Sequence, residues 1–445
     1  MTVEPARGTD STLARLAPGV ELIGEYQGSG FQQPRYIVRR ADDQVIQLSR
    51  LLYLLAANLD GQKDLTQVAD ALSAEFGRSV QPTQVQYMID NRLRPAGLVA
   101  AGSRPADIEA PQEADPRSDP LLALKFRLGV VPERVVWRVA GLFCPLFRPP
   151  MIAAALAAFV GLDVVIIARG GLGQIIPSAL ALVDEPTLSL LVLAMVFAAA
   201  AFHECGHVSA CRYGGARPGK MGFGLYLVWP ALYSTVTDSY RLSRAGRLRT
   251  DLGGVYFNAL FLAGLGVAYL NTGSPWLLVA IVLLHIETAT QLMPVIRLDG
   301  YYILSDLIGV PDLFSWMGPV LASMIPGRAT HPRVLELKPW VRRTITLWVA
   351  IVAPAMLYWI IGFVIVAPRV LPVVSGRLME LVPAAIAAAS AGKVAEATLD
   401  VVDTMLLVLP WAGSVLLLVM IVRWPAKALL TRWRSTHLPS AEVLT

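Results

Sequence analysis

The stretch LSLLVLAMVFAAAAFHECGH (188–207) decides how the rest of the chain is read. Leu188 to Phe202 is an apolar run, and two imidazoles and a carboxylate follow it at once: His203, Glu204 and His207. On a helix, residues four apart lie one turn apart on one face, so both imidazoles can grip a single Zn²⁺, with the glutamate beside it as a general base. Ionisable groups inside a bilayer are expensive and need a reason. A metal site supplies one.

The bulk composition agrees with a membrane setting. Of 445 residues, 55% are hydrophobic and only 16% charged, where a soluble domain carries nearer a quarter; the mean hydropathy is +0.54. The net charge of +5 is small and its basic residues cluster beside apolar segments. That pattern fits topology control rather than nucleic-acid binding. Met1 to Asp10 lack the apolar core of a signal peptide. Three cysteines (Cys144, Cys205, Cys211) give no disulfide framework. Cys205 points away from the His face and reads as packing.

Outward from the motif, six apolar segments near 151–168, 187–210, 253–271, 276–296, 344–367 and 404–422 are each long enough, within boundary error, to span. Basic residues precede the first, separate the second from the third and the fourth from the fifth, and follow the sixth. By the positive-inside rule both termini are cytoplasmic. The expected fold is an all-α polytopic membrane protein of about six spans in the cell inner membrane, carrying a small α+β domain in front.

That front domain occupies 20–102, after a flexible lead of 1–19. Tyr36–Arg40 and Gln44–Leu48 read as a hairpin, followed by helices over 50–59, from Asp64, and over 82–93. The pattern is winged-helix-like. Residues 103–120 read as a linker, 121–150 as an interfacial helical segment facing membrane lipid, 151–424 as the spanning domain and 425–445 as a tail. Whether 369–402 holds a further half-inserted helix stays open.

Two histidines do not complete a zinc site, since a catalytic zinc has three protein ligands and an open position. Asp299, in Arg297-Leu298-Asp299-Gly300-Tyr301-Tyr302, is the candidate third ligand: it follows the fourth apolar segment and Pro294, at the same membrane side as His207. His285 lies 14 residues earlier, about 21 Å along a continuous helix, so it and Asp299 cannot share an ion there. His285 and Glu287 read as interhelical hydrogen-bonding groups or as a proton or water path. Residues 221–236, apolar and Gly-punctuated, read as a re-entrant hairpin or an interfacial loop. A free strand edge there would accept an extended peptide, which makes Gly222 and Gly224 candidate substrate-binding residues.

Three stretches, HECGHVSACRYGG (203–215), MGFGLYLVWPALYSTVTDSYRL (221–242) and LMPVIRLDGYYILSD (292–306), resemble the site-2 protease family of intramembrane zinc metalloproteases, most closely its bacterial peptide zinc metalloprotease branch. The resemblance implies that His203, His207 and Asp299 bind zinc, that Glu204 is the catalytic base and that 221–236 is a membrane-reentrant hairpin. A Gly-Pro-x-x-Asn pattern of the family corresponds to Gly254-Val255-Tyr256-Phe257-Asn258. Asn258 then either polarises a substrate carbonyl or packs as a helix amide. The chain departs from the family at Val255, Gln291, Met293 and Tyr301, positions that bear on substrate positioning more than on zinc.

The front domain is similar to PqqD-like recognition domains, on the hairpin, Leu59-Asp60-Gly61 and Arg94-Pro95-Ala96-Gly97-Leu98-Val99. This implies recruitment of a leader or substrate peptide, with peptide-modification or export proteins as partners. A third helix carrying Asp90 beside Arg92 and Arg94 argues against DNA. The expected activity is hydrolysis of a peptide bond in a peptide or membrane protein. The alternatives are a non-catalytic scaffold or export accessory with a structural metal, and, less favoured because the candidate ligands cluster at one depth, a zinc transporter.

Overall fold

The computed structural model describes residues 13–42, 44–100, 125–183, 185–226 and 228–437. In the front domain, β1 (Glu21–Glu25), β2 (Arg35–Arg39) and β3 (Val45–Ser49) form an antiparallel sheet in that order. β2 and β3 are the expected hairpin, and β1 is a strand the sequence pattern does not announce. The helices α1 (Arg50–Ala57), α2 (Leu65–Phe76) and α3 (Pro82–Met88) cover one face of the sheet. Asp64 caps α2 reciprocally with Gln67, and Gly77 ends it in the left-handed conformation, which glycine adopts without penalty. Val38, Leu48, Leu55, Leu72, Ile89, Leu93 and Leu98 form the core.

The rest of the chain is a helical bundle. β4 (Lys125–Val131) leads into α4 (Glu133–Phe143), then α5 (Pro149–Ala168), α6 (Gly171–Val183) and α7 (Pro186–Tyr213). A hairpin of β5 (Met221–Tyr226) and β6 (Trp229–Ser234) follows, then α8 (Arg244–Asp251), α9 (Gly253–Thr272) and α10 (Pro275–Gln291). The chain closes with α11 (Asp299–Ile308), α12 (Met317–Met324), α13 (Pro332–Leu335), α14 (Pro339–Ser390) and α15 (Val394–His437). Among the described residues five helices are long and apolar enough to cross a membrane, six if the bent pair Asp299–Ile308 and Leu313–Met324 counts as one span. α10, at 17 residues, is shorter than the 276–296 segment expected. The outward faces carry Leu156, Val160, Val164 and Ile167 on α5, and Leu347, Ile351, Tyr358 and Ile361 on α14. So continuous an apolar exterior suggests a lipid solvent.

Three features differ from expectation. Residues 121–150 do not form a purely helical interfacial segment, because Lys125–Val131 pairs antiparallel with β5, with two irregularities in its register. The edge of β5 is thus occupied by the chain's own β4, giving a sheet of order β4-β5-β6. Residues 369–402 hold no separate half-inserted helix. They are the upper part of α14, running on through Pro368, Pro372 and Pro383, and the start of α15. Finally, α6 is an additional short apolar helix between the first two spans, packed against α10 through Ile175 and Leu182.

The front domain is docked on the bundle. Phe31 bridges to Leu337, Arg35 pairs with Glu336 at 2.5 Å, Arg39 reaches Asp238 at 3.4 Å, and Arg241 pairs with Glu21. Phe31 also enters the core of Val310, Leu313, Trp316, Val341 and Val349, so the interface is apolar at its centre and ionic at its rim.

A candidate metal centre where three helices meet

α7 and α9 cross at glycines. A Cβ on Gly206 would lie 2.2 Å from the Gly253 carbonyl oxygen, and one on Gly253 2.6 Å from that of Gly206. Two backbones in such contact require side chains no larger than hydrogen. This crossing sets the start of α9 beside the His203–His207 turn of α7. Asp299 arrives from a third direction, as the first residue of α11. The preceding loop is pinned from two sides: Tyr226 Oη of β5 accepts from the Arg297 N–H at 3.2 Å, and Trp348 Nε1 of α14 donates to the Pro294 carbonyl at 2.7 Å. Gly300 turns so tightly that a Cβ there would meet the Leu292 carbonyl oxygen at 2.1 Å.

His203, His207 and Asp299 converge. His203 Nε2 lies 3.0 Å from His207 Nε2 and 3.0 Å from Asp299 Oδ2, and His207 Nε2 lies 3.5 Å from Asp299 Oδ1. Ligands about 2 Å from a zinc ion at tetrahedral angles sit roughly 3.3 Å apart, within the observed spread.

Hydrogen bonding on the other ring nitrogens fixes the tautomers. His207 Nδ1–H donates to the Thr250 carbonyl at 2.8 Å, an oxygen that can only accept. His203 Nδ1 faces Asn258 Oδ1 at 3.2 Å. Asn258 commits its amide hydrogens elsewhere, to Thr288 Oγ1 at 3.0 Å and Gln291 Oε1 at 3.1 Å. Gln291 in turn donates to Glu287 at 2.6 Å. The whole chain runs in one direction, from His203 through Asn258 and Gln291 to a carboxylate. In the neutral imidazoles both Nε2 atoms are then lone pairs, 3.0 Å apart with a carboxylate beside them. Asp299 Oδ2 is buried and has only the His203 ring nitrogen at 3.0 Å beside it. Such a triangle repels itself unless a cation sits within it. Space for one is kept by Gly254, where a Cβ would come within 2.3 Å of His203 Nε2 and 2.5 Å of His207 Nε2. The residues present fit a zinc ion.

Glu204 is half-buried on the same turn of α7, with no hydrogen bond or ion pair among the described residues. His285 lies elsewhere: its Nε2 meets Asp163 Oδ2 of α5 at 3.1 Å and its ring stacks on Phe159. Gly222 backs onto β4, where a Cβ would meet the Leu128 carbonyl oxygen at 1.9 Å, and Gly224 pairs with Ala231. Neither faces an open β5 edge. Cys205 is half-buried and unpaired. Sequence reasoning missed Thr250, whose backbone carbonyl carries no residue-type signal. It also missed Asp251, whose Oδ2 is buried without a partner. Burial, then the neighbouring Asp306 carboxylate, push the Asp251 carboxyl well above the usual carboxylate range.

No family model matches the chain, and no solved structure matches it. Over 112 residues, a quarter of its length, the chain is 30% identical to the Bacillus subtilis protein described as "Putative peptide zinc metalloprotease protein YydH". The match covers 44% of that protein's length. A distant similarity to a named zinc metalloprotease and a His-His-Asp group compatible with one metal ion thus meet in a single chain.

Proposed function

We propose that this chain is a membrane-embedded zinc endopeptidase of the site-2 protease type. The observation that carries the reading is the triangle of His203 Nε2, His207 Nε2 and Asp299, with both imidazoles held as neutral ligands and Glu204 one residue away. A zinc ion held by His203, His207 and Asp299 would polarise a peptide carbonyl and lower the pKa of a water. Glu204 accepts the proton as the water oxygen bonds to the carbonyl carbon, and returns it to the amine nitrogen as the C–N bond breaks. Its freedom from other partners suits a group that must gain and lose a proton. Asn258 and Thr250 hold the two imidazoles in the ligating tautomer, as partners behind a metal's ligands do. The Asn258 amide is used in full by His203, Thr288 and Gln291, which favours an orienting role over contact with a substrate carbonyl.

In this reading the N-terminal domain is PqqD-like and recruits a leader or substrate peptide, and both termini face the cytoplasm of a cell inner membrane. The test is Glu204→Gln in purified, reconstituted protein, assayed for zinc content and for cleavage of a panel of membrane-tethered peptides that the wild-type chain cleaves. Unchanged zinc with cleavage lost is the expected result, and cleavage that persists would refute the role of Glu204. Zinc bound without cleavage by the wild type on any peptide would favour the structural-metal scaffold.

A further inference from the structure

α8 and α11 serve the metal group in different ways. α8 presents the Thr250 carbonyl to His207, and α11 begins with Asp299. About one turn back along α8 and two turns on along α11 they meet again, where Arg247 Nε donates to Asp306 Oδ1 at 3.0 Å and the Arg247 side chain has no exposure at all. The two helices do not complete this contact between themselves. A second guanidinium nitrogen donates to the Leu242 carbonyl at 2.9 Å, and the third donates to the Gln27 carbonyl of the front domain at 3.0 Å. The Tyr26 ring lies 4.2 Å from the guanidinium, and its hydroxyl donates to Asp306 Oδ1 at 2.9 Å. Just past the end of α11, the Gly309 carbonyl accepts from the Gly30 N–H at 2.9 Å. The fit is backbone against backbone: a Cβ on Gly30 would lie 2.3 Å from the Ile308 carbonyl oxygen, and one on Gly309 2.2 Å from that of Gly28.

We infer that Tyr26–Gly30 of the front domain are positioning residues for the metal centre, so that front-domain docking and metal retention are reciprocally linked. This rests on the zinc reading above. The physical ground is that α11 is a rigid ten-residue helix held at one end by the metal group and at the other by the front domain. α8 is gripped in the same way, through Arg247. Any interaction that the front domain makes only with the metal-competent arrangement of these two helices appears in the metal affinity. The same factor must appear in the docking equilibrium when metal is removed.

The test uses the full chain in lipid nanodiscs. Tyr26→Phe keeps the ring against Arg247 and removes only the hydroxyl. A hydrogen bond to a charged group contributes enough that its loss weakens zinc retention, measured by chelator competition, by about tenfold. Arg35→Ala, which cuts the Glu336 ion pair and the contact with the Phe31 ring but none of the bonds to α8 and α11 named above, leaves zinc retention unchanged. In the wild-type chain, zinc removal speeds amide exchange at Gly30 and at Lys338, whose N–H donates to the Gly30 carbonyl. This last measurement stands even if a variant fails to fold. Unchanged zinc retention in Tyr26→Phe together with exchange indifferent to zinc overturns the linkage. An equal zinc loss in Arg35→Ala overturns the assignment to Tyr26–Gly30. A wild-type chain that binds no zinc refutes the metal reading itself, a separate outcome.

Discussion

Gly254→Ala puts the helix and the metal centre in opposition. Gly254 is the second residue of α9, where alanine is favoured over glycine by at most about 1 kcal/mol, the figure for a helix interior. At 254, however, the added methyl would sit 2.3, 2.4 and 2.5 Å from His203 Nε2, His203 Cε1 and His207 Nε2. Ordinary contact begins near 3.5 Å, so both imidazoles must withdraw by about 1 Å. Overpacking of that kind costs about 1–3 kcal/mol, and the propensity gain offsets part of it. The metal-free variant should therefore lose between nothing and about 2 kcal/mol. Zinc affinity should fall far more, because both nitrogens leave the position where one ion can be shared: about 100-fold or worse, or about 2.7 kcal/mol. Gly264→Ala on the same helix is the control, since a Cβ there meets nothing within 4 Å; it should leave zinc unchanged and raise the melting temperature slightly. Chelator competition and thermal unfolding of the metal-free proteins report the two effects separately. Stoichiometric zinc in Gly254→Ala at wild-type affinity would refute the placement of the metal between the two Nε2 atoms.

Asn258→Leu removes the acceptor that holds His203 Nδ1–H and should lower zinc affinity 10- to 100-fold; Gln291→Leu, one bond further back, should do less, and chelator competition ranks the two. For pH, Arg241 first, then Arg39, hold the Glu21 carboxylate below its ordinary 4.5. A depressed carboxylate contributes stability above 4.5 that is lost as pH falls through its lower folded value. Front-domain docking, followed by amide exchange at Gly30, should weaken on acidification from pH 5.5 to 3.5 by a sub-kcal/mol increment, since the pair is partly exposed. Glu21→Gln should remove that increment and leave the remaining acid sensitivity in place.

The candidate ligands are legible in sequence because two of them sit one helical turn apart and the third follows a helix-breaking proline at a matching depth. What orients them is less legible. Thr250 acts through a backbone carbonyl, and Gln291 and Glu287 act through a relay whose direction appears only when Asn258 is placed between α7 and α10. The glycines are informative in retrospect: Gly206, Gly253, Gly254 and Gly300 each mark a place where something approaches within a side chain's width. β4 was obscured because a strand that alternates basic and apolar residues also reads as an interfacial helix. The extent of α14 was not legible either: the helix runs on from the 344–367 segment through Pro354, Pro368, Pro372 and Pro383 to Ser390. Docking of the front domain joins residues more than 200 apart, such as Tyr26 and Asp306, and no local pattern encodes such a contact.

The length of α14 has a consequence for the molecule in a bilayer. Its 52 residues run about 78 Å, against a hydrocarbon layer of about 30 Å. Trp348 fixes the lower part beside the metal centre, and from there to Ser390 is roughly 63 Å of helix. That is about twice the thickness of such a layer, and α15 runs back beside it. This upper portion carries paired charges, Arg377 with Glu380 and Lys393 with Glu396, among exposed apolar side chains such as Val373, Met379 and Ile386. Anything that grasps the far end of this helical hairpin acts on a helix whose foot supports the loop before Asp299.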